Sequence, residues 1–379
     1  MYYPFFRGKQ FELLAIRESA EVISNAGFIP IIEPVREVLS SLDRALRELV
    51  SRGASAAVIV NPRLGDHRHD GDGLAAYLEE SFGDNDAVLP ALLLTNLMTV
   101  EDAMRAISPY EDRPLMLVHA GFTDGKGLAA QLTATQLTHV FLDARNTLYR
   151  RPFIGGHRIL IEDGFERKKN ADYSLVDRFS DLHITYSELG ANGYGDFLTV
   201  GDYYAEGGGP AYAVAIHLTY IDTDQDDAMF VYHFISDSND TPVDPAGKFS
   251  QALSKLIAQL DSAGSCIEDT SAVQEFRELH ARGHFPGLGY VKKTLHQAPS
   301  RDPRCFSIPW LSDGAAPRVS VIFRFVTNTS LSAILFGRPA AIAALQMRKA
   351  CFRNASHSGS RRSWPPTKSS MTGSQSSSC

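Results

Sequence analysis

"HRILIEDGFERKKNADY" (157–173) begins with an apolar run, Ile159-Leu160-Ile161, that stops on two adjacent carboxylates, Glu162 and Asp163. A basic cluster, Arg167-Lys168-Lys169, follows. A strand apolar on both faces needs cover on both sides, which is the habit of parallel sheets crossed by helices. Charge at the end of such a strand belongs where the sheet meets solvent. If the strands form a ring, that rim is a mouth.

The same layout recurs along the chain. Apolar runs ending in a polar group stand at "FIPIIEPV" (28–35), "AAVIVNP" (56–62), "VLPALLLT" (88–95), "RPLMLVHA" (113–120) and "THVFLDA" (138–144). "YYPFF" (2–6) precedes them and "DLHITY" (181–186) follows. Amphipathic stretches such as "SLDRALRELVSRG" (41–53) lie between. Counted from 28 to 181, the starts fall 19 to 32 residues apart. Eight strands at that period predict an α/β fold, a TIM-like (β/α)8 barrel. A doubly wound sheet is the rival, but no GxGxxG follows the first strand. "RNTLYRRPFIGG" (145–156) is too short for a full helix, so one irregular crossover is expected there.

After residue 210 the pattern changes. "AYAVAIHLTYI" (211–221) and "AMFVYHFIS" (228–236) flank the turn "DTDQDD" (222–227), which lacks the central Gly and final Glu of a calcium loop. They predict a hairpin with Ile221 opposite Met229 and His217 opposite His233. Val214, Ile216, Leu218 and Phe234 form a core face; the histidine face, with Ala213, Ala215 and Thr219, reads as small and roomy. That histidine pair suits either a metal or substrate contact or plain hydrogen-bonded packing. Two helices are expected next, over 245–264 and 269–283.

Residues 1–295 thus read as a single barrel domain with a C-terminal hairpin and helices. Residues 296–379 carry eleven Lys and Arg against Asp302 and Asp313, a net of +9 in a chain of net −7. Their Ser-rich, aperiodic end predicts a basic tail that is disordered or non-native. The tail is also what keeps nucleic acid open as a partner. No run of 18 apolar residues appears and the opening residues lack a secretory layout, so a cytoplasmic protein without membrane contact is expected. Four cysteines without CxxC spacing argue against a disulfide scaffold.

In such barrels the strand C-termini and the loops after them build the active face. Here those ends are Glu33, Asn61, Thr95, His119, Asp143, Glu162 and Asp163. Catalytic roles are expected of Glu33, His119, Asp143, Glu162 and Asp163, which could hold a hard divalent cation or divide acid and base work. Substrate contacts are expected of Asn61 and Thr95, and of the cations Arg7, Lys9, Arg63, Arg145 and Arg167. These suit an anionic small molecule such as a phosphate ester, a carboxylate or a nucleotide. The plainer reading is a rim of solvated ion pairs. Parity places Asp163 with Ile159 and Ile161, and Glu162 with Arg158, which makes Asp163 the better inward candidate. The loop "GDHRHDGDG" (65–73) adds His67, His69 and Asp70 at the same end.

"YYPFFRGKQFELLAI" (2–16), "IPIIEPV" (29–35), "LIEDGFERKKNADY" (160–173), "GYGDFLTVG" (193–201) and "HFPGLGYVKK" (284–293) resemble the phage beta-protein family, in one bacterial branch. The resemblance covers about residues 1–293. It implies a barrel-like fold and brings no reaction or catalytic residue with it. The expected function is a metal-assisted hydrolase or lyase acting on a phosphorylated or nucleotide-like substrate. The alternative is a non-catalytic binding or interaction module in phage–host conflict.

Overall fold

The computed structural model describes residues 1–68, 71–133, 136–206 and 210–287, and the backbone of residues 294–296 and 320–322. The strands are β1 (Phe5–Phe6), β2 (Ile31–Ile32), β3 (Ala56–Ile59), β4 (Val88–Thr95), β5 (Leu115–Ala120), β6 (Leu137–Phe141), β7 (His157–Glu162), β8 (Val176–Ser180) and β9 (Gly193–Asp196). All except β8 pair in parallel, neighbour to neighbour in chain order. A bridge between Tyr2 and Tyr194 brings β9 back to β1. The Tyr3 amide donates to the Tyr194 carbonyl at 2.8 Å, and the Tyr194 amide to the Met1 carbonyl at 3.0 Å. The sheet is therefore nearly closed into a (β/α)8 barrel.

Helices α1 (Gln10–Glu18), α2 (Ala20–Ala26), α3 (Ser40–Ser51), α4 (Asp72–Phe82), α5 (Val100–Ile107) and α6 (Gly125–Gln131) run between the strands. Alternation along each strand separates two cores. Phe5, Ile31, Ile59, Val118, Ile159 and Ile161 fill the barrel. Phe6, Ile32, Val58, Leu117 and Leu160 face outward onto helical residues such as Ile16, Leu46 and Leu49. Each fully buried side chain of this kind stabilises the fold by roughly 1.5–3 kcal/mol. The crossover from β6 to β7 is irregular, as its length requires: α7 (Thr147–Arg150) and a 3-10 turn, Arg151–Phe153.

One strand differs from its expected place. Residues 181–186 hold a short helix, α8 (Leu182–Thr185), and the eighth barrel strand is Gly193–Asp196. The cause is crowding at the seam. A Cβ on Gly193 would stand 2.7 Å from the Met1 carbonyl oxygen and 2.8 Å from the Tyr3 ring, and one on Gly195 would strike the Tyr3 carbonyl. Only glycine lets β9 approach β1 this closely.

Beyond the barrel, β10 (Ala215–Asp222) and β11 (Ala228–Ile235) form the expected hairpin, with His217 opposite His233 and Ile221 opposite Met229. β8 adds to it antiparallel through β11. Two helices, α9 (Pro245–Leu260) and α10 (Ser271–Ala281), cover the face of Val214, Ile216, Leu218 and Phe234. The histidine face is not roomy. Phe165 and Tyr173, both from the 157–173 stretch, pack there with ring centroids 5.0 Å from that of His217. Residues 297–379 lie outside the described residues, apart from Ser320–Ile322, which pairs antiparallel with Thr294–His296. Among the described residues no helix is long and apolar enough to cross a membrane.

Candidate anion site at the barrel mouth

β1, β2 and β7 each carry one charge inward at the strand end. Arg7 follows Phe5, Glu33 follows Ile31, and Asp163 follows Ile161, all residues of the inner core. Arg7 is 2% exposed and Glu33 is 0% exposed. The Arg7 guanidinium donates to Glu33 from Nη1 and to Asp202 from Nη2, and lies over the rings of Phe5 and Phe197 at 4.9 and 5.2 Å. Its Nε has no hydrogen-bond partner among the described residues. Burial pulls this guanidinium below its ordinary value, and Glu33 opposes the change. The second Glu33 oxygen accepts the Arg63 amide at 2.9 Å. Glu33 therefore holds two neighbouring loops in place.

Asp202, which no strand pattern marked, closes this arrangement. It sits six residues past β9, on a strap that turns through Leu198 at φ 64 and Gly201 at φ 73. Besides Arg7, its carboxylate accepts from Arg63 Nη2 at 3.2 Å, and its amide donates to Asp163 Oδ2 at 2.7 Å. Asp163 Oδ1 accepts the Phe165 amide at 3.1 Å. The packing around Asp163 pushes its carboxyl above the usual range, opposed by that bond and by the charge of Arg7. The two following residues meet the other cations. Tyr203 lies 3.3 Å beneath the Arg167 guanidinium, and Tyr204 lies 5.0 Å from Lys9 Nζ. "DYY" (202–204) thus engages Arg7, Arg63, Arg167 and Lys9, four of the five cations predicted to receive an anion.

The remaining predicted residues divide. Asn61 spans to β4, donating to the Leu93 carbonyl at 2.9 Å and accepting its amide at 2.7 Å. Thr95 Oγ1 accepts the Leu97 amide at 3.4 Å, within its own turn. Glu162 faces outward and takes two bonds from Arg145, at 2.9 and 2.7 Å, and one from Ser180 at 3.1 Å. His119 and Asp143 do not join Glu33 and Asp163. His119 shares the outer face of Leu115 and Leu117, beneath the irregular crossover, and Asp143 accepts the Arg145 amide at 3.2 Å. His67 bonds the Arg36 carbonyl at 2.9 Å, while His69 and Asp70 lie outside the described residues. Among the described residues no three His, Cys, Asp or Glu groups stand where they could hold a metal ion together.

Asp196, at the end of β9, also escaped the sequence reading. It is 4% exposed and faces the outer layer, where Oδ1 accepts the Tyr2 hydroxyl and the Leu198 amide, each at 2.9 Å. Burial, with Asp163 as a smaller cause, raises its carboxyl to about 7. No protein-family model matches this chain, and no curated protein does either.

Proposed function

We propose that the barrel mouth binds a small anion, a phosphate ester or carboxylate, and that Asp202 supplies that anion's charge in the present arrangement. The observation that carries this is the convergence of Arg7 and Arg63 on one loop carboxylate. Two guanidiniums backed by Glu33 form a ready receptor for an oxyanion, which they can grip in a forked geometry. An incoming phosphate would displace Asp202 and inherit its partners. Asp163 would then lose the Asp202 amide and stand beside the bound ligand. A carboxylate so placed suits general acid–base work in a hydrolase or lyase reaction.

A second reading treats the same bonds as a fastening that ties the strap to the barrel, leaving a non-catalytic interaction module. The saturation of four cations by residues 202–204 favours it. Calorimetric titration with inorganic phosphate separates the two. The binding reading expects saturable uptake that weakens about tenfold or more, roughly 1.4 kcal/mol, in Arg63→Ala and tightens in Asp202→Asn. The fastening reading expects no uptake in any variant and a lower unfolding midpoint in Asp202→Asn.

A further inference from the structure

The irregular crossover after β6 leaves a second concave surface, outside the barrel ring. A cleft of about 510 Å³ opens between residues 121–126 and residues 143–152, a volume suited to a small organic ligand. Its floor is His119, Phe141 and Tyr149. The Tyr149 hydroxyl lies 2.8 Å from His119 Nδ1, and His119 Nε2 lies 3.0 Å from His139 Nδ1. Both histidines are buried on the outer surface of β5 and β6, where the neighbouring positions are leucine and phenylalanine. Packing alone would favour apolar residues there, since buried polar groups are costly unless bonded. The chain they form ends at a hydroxyl that lines the cleft.

The walls give the ligand its character. Phe122 and Leu148 line it, and Leu148 is an apolar side chain left 73% exposed. Among the lining residues Asp124 and Asp143 face one cation, Lys126, while Arg145 and Arg150, outside the lining, also feel the charge of Asp143. Burial first, and the Asp124 carboxylate second, push the Tyr149 phenol up from its ordinary value, so it remains a neutral hydroxyl. A ligand ammonium would meet two carboxylates and the faces of nearby aromatic rings, both favourable to a cation.

The geometry points to a binding site for a small organic cation bearing a flat apolar ring, of the arylalkylamine class. The ring would rest against Phe122 and Leu148, the ammonium between Asp124 and Asp143, and the Tyr149 hydroxyl would provide the polar contact. This site shares no residue with the mouth and stands or falls independently of it.

Titration of the full chain with phenethylamine, followed by calorimetry and by chemical shifts, tests it, with phenylacetate as the anionic counterpart. Saturable binding of phenethylamine is expected, weakened about tenfold or more in Asp143→Asn and measurably in Tyr149→Phe. Arg63→Ala should leave it unchanged. Asp143 is exposed, so its amide variant should fold, which a melting curve would check. Equal or tighter binding of phenylacetate by the Arg63→Ala variant, whose mouth receptor is weakened, would overturn the proposal. So would phenethylamine binding that ignores Asp143→Asn, or no binding at millimolar concentration.

Discussion

Glu33 has no solvent exposure and accepts from both Arg7 and the Arg63 amide, so removing its charge leaves a buried guanidinium without its buried counter-charge, with only the more exposed Asp202 still paired to it. Glu33→Gln should lower stability by about 3 kcal/mol or more. Arg63→Ala, whose side chain is 37% exposed, should cost less than about 1 kcal/mol. Urea unfolding midpoints compare the two directly. Asp196 gives a pH signature. Its carboxyl, ordinarily near 3.8, is raised to about 7, so the folded barrel favours the protonated form. The stability this confers is complete below about 3.8 and is lost as pH rises through 7. Asp196→Asn keeps the acceptor for Tyr2 and Leu198 without the charge, so its melting midpoint should exceed wild type above pH 7. A wild-type midpoint equal to the variant's at pH 8 would refute the assignment. The inward turn of Asp163 was legible because Ile159 and Ile161 fix the parity. The outward turn of His119 was not, because Met116 and Leu117 are equally apolar and hydrophobicity cannot say which faces in. Asp202 lay beyond any periodic segment; a Gly-Asp pair followed by two tyrosines after a strand was its only signal.

Among the elements, seven barrel strands were legible from their apolar runs, and the eighth was not. "DLHITY" and "GYGDF" are both short, and periodicity cannot separate one helical turn from one buried strand at that length. Backbone proximity at the seam decided between them, and that is a property of the closed ring. The hairpin was legible in register because its turn pins one end and its faces differ. What covers the histidine face was hidden, since Phe165 and Tyr173 arrive from a loop far back in sequence. That cover makes the hairpin acid-sensitive. His217 and His233 bond through their Nδ1 atoms at 2.7 Å, and burial lowers both, His233 to about 4 despite Asp177. Lys168, facing the same Asp177, reinforces the shift of His233. Neutral histidines favour the folded state, so this stability is present above about pH 6.5 and lost as pH falls toward 4. Amide exchange in β10 and β11, corrected for intrinsic rates, should accelerate from pH 7 to 4.5 relative to β3 and β4. Replacing both histidines with Gln should lower stability modestly at pH 7 and remove that acceleration.

For the whole molecule, every strand of the barrel and both helices over the hairpin lie within residues 1–281. The charge reversal after residue 295 and the lack of patterned core beyond it lead to a simple expectation. Deleting residues 297–379 should move the melting midpoint by less than about 2 °C, the change that well under 1 kcal/mol produces at this size. Calorimetry of the shortened chain decides it; failure to fold would place part of the core beyond 296. Tyr2 and Asp196 share a hydrogen bond across 194 positions of sequence, so the first strand keeps one edge open until the last strand of the barrel is made. Strands β1 to β7 can pair in turn as they leave the ribosome, each closing a short loop at small entropic cost. The seam must wait for β9. At about 5–20 residues per second, the nascent chain spends on the order of ten to forty seconds as an open sheet with two unpaired edges. Throughout that interval its edges are templates for other strands, and the glycines that admit β1 leave β9 bare until its partner docks.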